Sequence, residues 1–445
     1  MSRPLSSWWR RKGGEGEALR ELKVAGEYPP AVQPATGPDD QSLGLYVHVP
    51  FCERICPYCD FAVIAARRLP RREEERYVRA LLCELAARRP AFAGRRLETL
   101  YLGGGTPSLL RPESIAAIVS AARAAFPEPP DAGVSKPARA GARGPAAALR
   151  EVTLEVNPST LERERLPGFR AAGVTRVSLG AQSFDDATLR RLGRAHRAGE
   201  CRETLAAVRA AGFAQLSIDL IAAAPGQSLA ALDADLAAAL DSAPDHVSVY
   251  ELTIEGGTPF ALAAGRGQLS LPDEGLALAM LGRVETRLEQ AGLRRYEISS
   301  YALPGSEALH NRRYWQRRPV LGIGVGAVST EPAGREAPFG SRRANTRGLG
   351  AYLERIEAGL PAADEVESLS EATARGEAVF LALRLCAGLD ASRFAAEFGA
   401  APRAFFAEPI ARCVALGLLQ EAADGSLALT PRGRLLSDSV FAEFV

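Results

Sequence analysis

The feature that most constrains the fold of this chain is a repeated order of short apolar strands and helix-length segments, which starts at residue 43. The predicted strands are 43–49, 97–103, 151–156, 174–180, 214–221 and 245–251. The predicted helices between them are 71–89, 111–126, 160–172, 198–212 and 228–241. Because a helix follows each of the first five strands, this order predicts a parallel sheet or barrel with the helices outside.

The strands also alternate in polarity, although buried parallel strands usually form continuous apolar runs. One face of each strand is apolar, and the other carries polar side chains. The polar face comprises Tyr46, His48, Thr99, Tyr101, Thr153, Glu155, Asn157, Ser178, Gln182, Ser217, Asp219, His246, Ser248 and Tyr250. An open sheet with one solvated face would also give this pattern, but helical crossovers normally cover a parallel sheet on both sides. Since unpaired buried polar groups are costly, we predict a shared interior that holds a polar ligand.

The remaining segments flank this core. The predicted boundaries are 1–40 for a disordered tail, 41–270 for the barrel core with a flexible insertion at 127–149, 271–367 for an extension of the barrel, and 368–445 for a C-terminal domain. The tail and the insertion are rich in Gly and Pro. In the last segment, helices precede a short hairpin around Asp424 and Gly425, which predicts a winged-helix-like domain. Its roughly balanced charge favours a packing or lid role over DNA binding.

Charge and composition exclude several classes of function. The 445 residues carry a formal net charge of +1, whereas nucleic-acid-binding proteins usually show a basic excess or stripe. No segment approaches the roughly 20 apolar residues that a membrane-spanning helix needs. The seven cysteines are too few, and odd in number, for a disulfide framework. We therefore predict a cytoplasmic protein with no nucleic-acid partner.

Three cysteines, Cys52, Cys56 and Cys59, follow the first predicted strand closely. Thiolates at such short spacing in a cytoplasmic protein indicate a metal site. A structural zinc site needs four protein ligands, and His48 would have to supply the fourth. A [4Fe-4S] cluster on three cysteines keeps one iron open for an outside ligand, and S-adenosylmethionine (SAM) suits that position. The spacing favours the open-iron cluster, with zinc as the alternative.

The segment from Tyr46 to Phe61 resembles the signature of radical-SAM proteins. Further motifs extend the resemblance over nearly all of the chain from about residue 43. It is specifically similar to the oxygen-independent coproporphyrinogen III oxidases and their HemW-type relatives, the heme chaperones. The resemblance implies an incomplete (β/α)6 barrel with the cluster at its open end. It also implies SAM contacts from Tyr46, Gly104, Gly105, Thr106, Glu155, Gln182, Arg194 and Asp219.

Two features bear on which branch of this family the chain resembles. The oxidases have a fourth cysteine two residues after the third, where this chain has Phe61. The motif His310-Asn311-Arg312-Arg313-Tyr314-Trp315 resembles the His-Asn-x-x-Tyr-Trp motif of the HemW branch, which is implicated there in heme binding. The resemblance implies His310 as axial ligand, with Tyr314 and Trp315 as flat apolar walls. From the residues alone, a hydrogen-bonded histidine under a packed Trp is the commoner explanation. The arginines available for the heme propionates are Arg312, Arg313, Arg317 and Arg318.

Two positions depart from the family pattern. Ala222-Ala223-Ala224 stands where relatives usually have an aromatic residue, a glycine and an apolar residue, which weakens any transfer of ligand contacts to that loop. Val328 stands where relatives commonly have histidine. If that histidine contributes to heme binding elsewhere, this chain is expected to bind heme differently or less well.

The resemblance implies a heme chaperone that binds heme and transfers it to acceptor apoproteins, including peripheral contact with membrane-bound acceptors. The alternative is an oxygen-independent coproporphyrinogen III oxidase, in which a SAM-derived radical starts an oxidative decarboxylation. Phe61 and the His310 motif favour the chaperone over the enzyme. A third hypothesis is a zinc-bound winged-helix regulator, against which the balanced charge and the barrel pattern count.

Overall fold

The computed structural model of the chain describes residues 41–127 and 149–445, so the predicted tail and nearly all of the predicted insertion lie outside the described residues. The strands are β1 (Ser42–Val49), β2 (Phe51–Cys52), β3 (Ile64–Ala65), β4 (Arg96–Gly104), β5 (Glu151–Val156), β6 (Arg176–Gln182), β7 (Gln215–Ala222), β8 (His246–Glu251), β9 (Arg294–Arg295), β10 (Ser300–Ala302), β11 (Val320–Ile323), β12 (Val328–Glu331), β13 (Ser341–Asn345), β14 (Ala363–Ser368), β15 (Leu419–Glu421) and β16 (Leu427–Leu429). The helices are α1 (Arg71–Arg88), α2 (Pro112–Ala125), α3 (Thr160–Ala171), α4 (Asp186–Arg191), α5 (Ala198–Ala211), α6 (Leu229–Leu240), α7 (Pro259–Gly265), α8 (Glu274–Gln290), α9 (Leu309–Trp315), α10 (Leu349–Glu357), α11 (Glu371–Leu383), α12 (Ala391–Phe398), α13 (Arg403–Ala415), α14 (Pro431–Leu435) and α15 (Ser437–Phe441).

Six parallel strands form the centre of one large sheet, in the order β1-β4-β5-β6-β7-β8, with helical connections between neighbours. Strand β11 adds to β1 in parallel, and β12, β13 and β14 extend that side in antiparallel fashion. Strands β10 and β9 lie at the opposite edge, next to β8. The order is linear, so the sheet does not close on itself. The incomplete (β/α)6 barrel predicted from the sequence is confirmed.

After the barrel core, the sequence also predicts a strand around 293–300 and an apolar strand at 319–325. The second is β11, whereas the first is two short strands, β9 and β10. Between them, Glu297 forms an isolated backbone bridge with Leu385, and the amide of Ile298 donates to the carbonyl of Arg384 at 3.1 Å. The backbone therefore leaves the sheet edge to pair with the C-terminal part of the chain. Helix α4 and strands β12 to β14 were not predicted.

The outward faces of the barrel strands are fully buried beneath the helices. Leu45, Val47, Leu100, Leu102 and Val177 each have 0% exposure. Burying an aliphatic side chain of this size stabilises the fold by roughly 1.5–3 kcal/mol. The apolar half of the predicted alternation thus forms the main core.

The polar faces point into the barrel and pair with one another across neighbouring strands. The Ser178 hydroxyl donates to Asp219 Oδ2 at 2.8 Å. The Ser217 hydroxyl lies 2.8 Å from His246 Nδ1, whose other ring nitrogen lies 2.9 Å from the Tyr296 hydroxyl. These hydrogen bonds offset the cost of placing polar groups in the interior.

Side-chain caps set where several helices begin. Asp185 accepts from the Thr188 amide at 2.7 Å and starts α4 directly after β6, while Ser228 accepts from the Ala231 amide and starts α6. Gly212 ends α5 in the left-handed region with a φ of 73°. Within the described ranges, no helix combines the length and the apolar character needed to cross a membrane.

The C-terminal residues form a second apolar core, centred on Phe394, Ile410 and Phe441. Helices α11 to α13 precede the β15–β16 hairpin, and two short helices follow it. This arrangement matches the predicted winged-helix-like domain. It is attached to the barrel extension by an ion pair of 2.8 Å between Arg342 and Glu377.

Candidate functional site

The three cysteines lie on the loop that follows β1, at the end of a parallel barrel where functional groups usually collect. Strand β2 pairs with β3 in parallel, so the loop turns back towards β1. The Ile64 amide donates to the Pro50 carbonyl at 2.8 Å, and the Ala66 amide donates to the Cys52 carbonyl at 2.7 Å. Cys52, Cys56 and Cys59 are all partly exposed, and none of them forms a disulfide. The backbone thus holds the thiols at the open end of the barrel, within reach of a ligand.

Two polar side chains from other loops contact these thiols. Arg194 donates to Cys56 Sγ at 3.5 Å, and the Thr106 hydroxyl lies 3.7 Å from Cys52 Sγ. Burial raises the pKa of Cys52 to about 11, so its thiolate needs a cationic partner such as a metal. Among the described residues, no three His, Cys, Asp or Glu side chains converge on the position of a single ion. A cubane binds each cysteine through a different iron, so three cysteines leave its fourth iron without a protein ligand.

Gly104 and Gly105 make room at the base of the cysteine loop. A Cβ on Gly105 would lie 2.8 Å from the Val49 carbonyl oxygen, and one on Gly104 would lie 2.4 Å from the His48 ring. Gly104 also has a φ of 105°, which favours glycine. Both backbone N–H groups already donate hydrogen bonds within the protein: Gly104 to Glu155 Oε2 at 3.0 Å, and Gly105 to the Val49 carbonyl at 2.8 Å. The glycines therefore provide space, rather than free N–H groups, beside the thiols.

We expect Gly105→Ala to reduce the cluster content after anaerobic reconstitution and to lower the free energy of unfolding by about 1–3 kcal/mol. The added Cβ would lie 3.0 Å from Cys52 Sγ and would push the loop away from β1. Gly199→Ala is the control, because nothing lies within 4 Å of its Cβ position in α5. Cluster absorbance and urea denaturation measure the two effects. Wild-type values for Gly105→Ala would contradict the packing argument.

Two carboxylates, Glu155 and Asp219, lie in the interior below the loop. Tyr101 donates to Glu155 Oε1 at 2.7 Å, and Ser178 donates to Asp219 Oδ2 at 2.8 Å. Desolvation raises the pKa of Glu155 to about 7 and that of Asp219 to about 6, and the charge of Asp219 adds to the effect on Glu155. Neither carboxylate forms an ion pair with any described residue. The interior therefore offers two negative groups that a cationic ligand would neutralise.

A chain of polar contacts joins the remaining predicted SAM residues to the cysteine loop. Arg194 donates to Asn157 Oδ1 at 2.6 Å, and Asn157 donates to the Thr106 hydroxyl at 2.7 Å. Gln182 ends β6 with a φ of 65°, and its Nε2 would lie 3.0 Å from a Cβ on Gly180. The sequence places Asn157 on the polar face but predicts no ligand contact for it. Its spacing of two residues from Glu155, which puts both side chains on one face, is the signal that points to such a role.

Tyr46 and His48 form the wall that β1 contributes. The Tyr46 hydroxyl lies 3.0 Å from His48 Nδ1, and His48 Nε2 lies 3.0 Å from the Ala62 carbonyl oxygen. Burial lowers the pKa of His48 and keeps the ring neutral. Because both ring nitrogens already have partners, His48 has no free nitrogen for zinc. It instead fastens the cysteine loop to β1.

The predicted heme motif forms α9, which packs against the end of the barrel opposite the cysteine loop. His310 is 0% exposed, with Nδ1 2.9 Å from the Thr99 hydroxyl and Nε2 3.1 Å from the Tyr314 hydroxyl. Burial, with a smaller effect from Arg313, lowers the pKa of His310 to about 3. His310 is therefore neutral, and both of its nitrogens are in hydrogen bonds. Asn311 is partly exposed.

Trp315 and the neighbouring arginines contact other parts of the chain. Arg384 of the C-terminal region lies over the Trp315 ring at 4.3 Å, and the indole N–H has no hydrogen-bond partner among the described atoms. Arg313 is buried and donates to Glu98 at 2.6 Å, and Arg318 lies 3.8 Å from the same carboxylate. Within the motif, His310 and Tyr314 therefore face the barrel interior, whereas Trp315 faces the C-terminal domain.

The positions that depart from the family pattern lie at the surface or in a turn. Phe61 is 67% exposed beside the cysteine loop, and Val328 is 46% exposed on β12. Ala223 has a φ of 56°, a conformation that glycine adopts more readily. The alanine run therefore keeps the turn after β7, with some backbone strain.

An incomplete (β/α)6 barrel with three cysteines after its first strand defines the radical-SAM class of proteins. Residues 46–264 match the Radical SAM superfamily, and residues 369–436 match the HemN C-terminal domain. The chain is 31% identical to heme chaperone HemW of Bacillus subtilis, over 90% of this chain and 98% of that one. By this similarity the chain belongs to the HemW family. The radical-SAM assignment implies a [4Fe-4S] cluster and SAM as cofactors.

Two further comparisons agree with this assignment. Heme chaperone HemW of Mycobacterium tuberculosis is 35% identical, over 92% of this chain and 96% of that one. The structure of coproporphyrinogen III oxidase (HemN) from Escherichia coli, described as a radical SAM enzyme, superposes with a TM-score of 0.73 at 26% identity. The superposition covers 91% of this chain and 90% of that one, so the two proteins share the fold of both domains.

Proposed function

We propose that this protein is a heme chaperone, which binds heme and transfers it to acceptor proteins while carrying a SAM-bound [4Fe-4S] cluster. The observation that carries the proposal is the extent of the similarity to proteins named heme chaperone HemW, which includes both the barrel and the C-terminal domain. The exposed Phe61 supports it, because the oxidases that the sequence resembles have a fourth cysteine at this position.

Cys52, Cys56 and Cys59 are the proposed ligands of the cluster. When bound, a three-cysteine cluster offers one open iron to the amino-acid end of SAM. The proposal is supported by the spacing of the three cysteines, the space beside Gly105 and the contact of Arg194 with Cys56. The residues proposed to line the SAM pocket are Tyr46, Gly104, Gly105, Thr106, Glu155, Gln182, Arg194 and Asp219.

The two interior carboxylates give this pocket its charge preference. SAM carries a sulfonium and an ammonium group, and both are cations. Glu155 and Asp219 are held by hydroxyl donors but have no cationic partner among the described residues. A bound cation would stabilise their ionised forms and lower their pKa values again. The pocket is therefore suited to a positively charged ligand.

His310, Asn311, Tyr314 and Trp315 remain the proposed heme site. The neutral state of His310 suits a heme ligand. Since both ring nitrogens are in hydrogen bonds, ligation by His310 requires that the Thr99 or the Tyr314 contact opens. Heme binding through this residue is thus proposed to involve a rearrangement of α9 or of the His310 side chain.

The acceptors are proposed to be apoproteins in the cytoplasm, with peripheral contact with membrane-bound acceptors. The odd and sparse count of seven cysteines in 445 residues supports a reducing compartment. The balanced net charge of +1 gives no basis for a nucleic-acid partner.

We expect wild-type protein to bind heme and to leave coproporphyrinogen III unchanged. The measurement is a heme titration followed in the Soret region, beside an anaerobic turnover assay with SAM and a reductant. His310→Ala is expected to shift the Soret maximum if His310 is the axial ligand. Turnover of coproporphyrinogen III by wild type would replace the chaperone proposal with the oxidase. An unchanged Soret spectrum in His310→Ala would remove His310 alone from the heme site.

A further inference from the structure

His310 is placed to act on the SAM pocket, independently of any role with heme. Its ring lies beside Tyr46 of the proposed pocket and beside Tyr101, with centroid distances of 6.4 Å and 5.2 Å. The hydroxyl of Tyr101 donates to Glu155 at 2.7 Å. A continuous set of contacts therefore runs from the motif on α9 to a proposed ligand-binding carboxylate.

The helix that carries His310 is fixed to the barrel by buried ionic contacts. Glu151 accepts from the amides of Leu309 and His310, both at 3.0 Å, and pairs with Arg176 at 3.1 Å. Arg176 and Glu151 are almost fully buried. These bonds fix the start of α9 against β5 and β6.

A second anchor holds the other side of the same helix. Arg313, 1% exposed, donates to the Ser42 hydroxyl at 3.0 Å, to the Ser42 carbonyl at 2.8 Å and to Glu98 at 2.6 Å. Two anchors on neighbouring turns leave α9 little freedom to rotate. The His310 ring is consequently held in one place, between the Thr99 and Tyr314 hydroxyls.

We propose that His310 is a positioning residue of the SAM pocket, which fixes the Tyr101 ring from below so that its hydroxyl holds Glu155 in place for the ligand. This inference rests on the proposed SAM pocket, and it goes beyond the heme role proposed for the same motif. Tyr101 has its ring on His310 and its hydroxyl on Glu155, so a displaced His310 side chain changes how Glu155 is held. His310 itself does not touch the ligand.

The test is SAM affinity, measured on cluster-reconstituted protein without heme. His310→Ala is expected to weaken SAM binding about tenfold, because a hydrogen bond to a charged group is lost or misdirected. Tyr101→Phe should have a similar effect, and the double variant should lose no more than the larger single loss. Independent, additive losses would overturn the positioning role. Equal affinity of His310→Ala and wild type would overturn it as well, while the pocket proposal would stand.

The pH dependence of SAM binding is a second measurement, because a general loss of structure would not shift its midpoint. Glu155 faces Tyr101 of β4, Asp219 of β7, Tyr46 of β1 and Tyr314 of α9. The Tyr101 hydrogen bond lowers the pKa of Glu155 against the effect of burial. The pH midpoint of SAM binding should therefore move upwards in His310→Ala. An unmoved midpoint would contradict the inference.

Controls separate this effect from loss of stability. Gln316→Ala changes a partly exposed side chain at the end of α9, and Ile410→Ala destabilises the second core away from the barrel. Both should bind SAM as wild type does.

If His310→Ala does not fold, Thr99→Val and Tyr314→Phe each remove one hydrogen bond of the ring. Wild-type affinity in both of these would overturn the inference, and absence of SAM binding by wild type would overturn the pocket itself.

Discussion

Replacement of Cys52, Cys56 and Cys59 by serine is expected to abolish the absorbance of the reconstituted iron–sulfur cluster, and with it the binding of SAM. The hydroxyl of serine is a poor ligand for iron compared with thiolate. Any one of the three replacements should remove most of the cluster, because the described structure brings no fourth cysteine to the loop. Iron and sulfide analysis after anaerobic reconstitution measures the loss directly.

The matched control is Cys83→Ser, which removes an exposed thiol on α1 that belongs to neither core. It should leave the iron and sulfide content unchanged. The variants of the loop should also keep near-normal thermal unfolding in the absence of metal, because backbone hydrogen bonds close the loop. Stoichiometric zinc in wild type, without a cluster spectrum after reconstitution, would falsify the cluster proposal.

Much of the barrel could be predicted because its periodicity is local. Strands such as β4 and β7 alternate in polarity with a period of two, and their aliphatic residues are all buried, although inner-face residues such as Thr99 and Ser217 are buried as well. The five helices predicted between the strands begin and end within one residue of their observed bounds. Local pattern failed at β14, whose sequence Ala-Asp-Glu-Val-Glu-Ser has no buried face to detect.

Part of the candidate site could also be predicted from the alternation of polar and apolar residues. The alternation assigns Glu155 and Asp219 to the interior, and in the structure both are buried on β5 and β7, on either side of β6. The anchoring of α9 could not be predicted from the sequence, because the hydrogen bond between Glu151 and the His310 amide joins residues 159 positions apart. No local sequence pattern indicates such a long-range contact. It forms only because α9 packs against the end of the folded barrel.

The burial of His310 shows how a motif can have two explanations. The sequence alone favoured a hydrogen-bonded histidine, and the resemblance raised the prospect of a heme ligand. In the structure the ring is hydrogen-bonded on both nitrogens, as the first explanation requires. A ligand role then needs a conformational step, whereas a positioning role needs none. The two roles are therefore separable by experiments with and without heme.

Asp219→Asn and Glu155→Gln are each expected to weaken SAM binding by about tenfold to a hundredfold, since a hydrogen bond or close contact with a charged group is worth roughly 1.5–3 kcal/mol. Cluster content should stay near normal, because neither side chain contacts a cysteine. Equilibrium dialysis with labelled SAM measures the affinities. Glu354→Gln, on the exposed side of α10, is the control for a lost surface charge. Unchanged affinity in both interior variants would remove the carboxylates from the pocket.

The pH dependence of the same variants tests the physical cause. A cationic ligand prefers ionised carboxylates, so wild-type SAM affinity should fall as the pH drops below about 7, the raised pKa of Glu155.

The stability of the ligand-free protein should depend on pH in the opposite direction. The native state binds a proton on Glu155 more tightly than the unfolded chain does, so the free energy of unfolding should decrease as the pH rises from 4.5 to about 7. Glu155→Gln should make that decrease smaller and leave the share of Asp219, whose pKa is raised to about 6. Asp219→Asn should move the share of Glu155 to lower pH because the neighbouring charge is gone. A ligand that reverses the pH dependence of stability in this way would support the two carboxylates as its counter-charges, since a cation bound beside them favours their ionised forms.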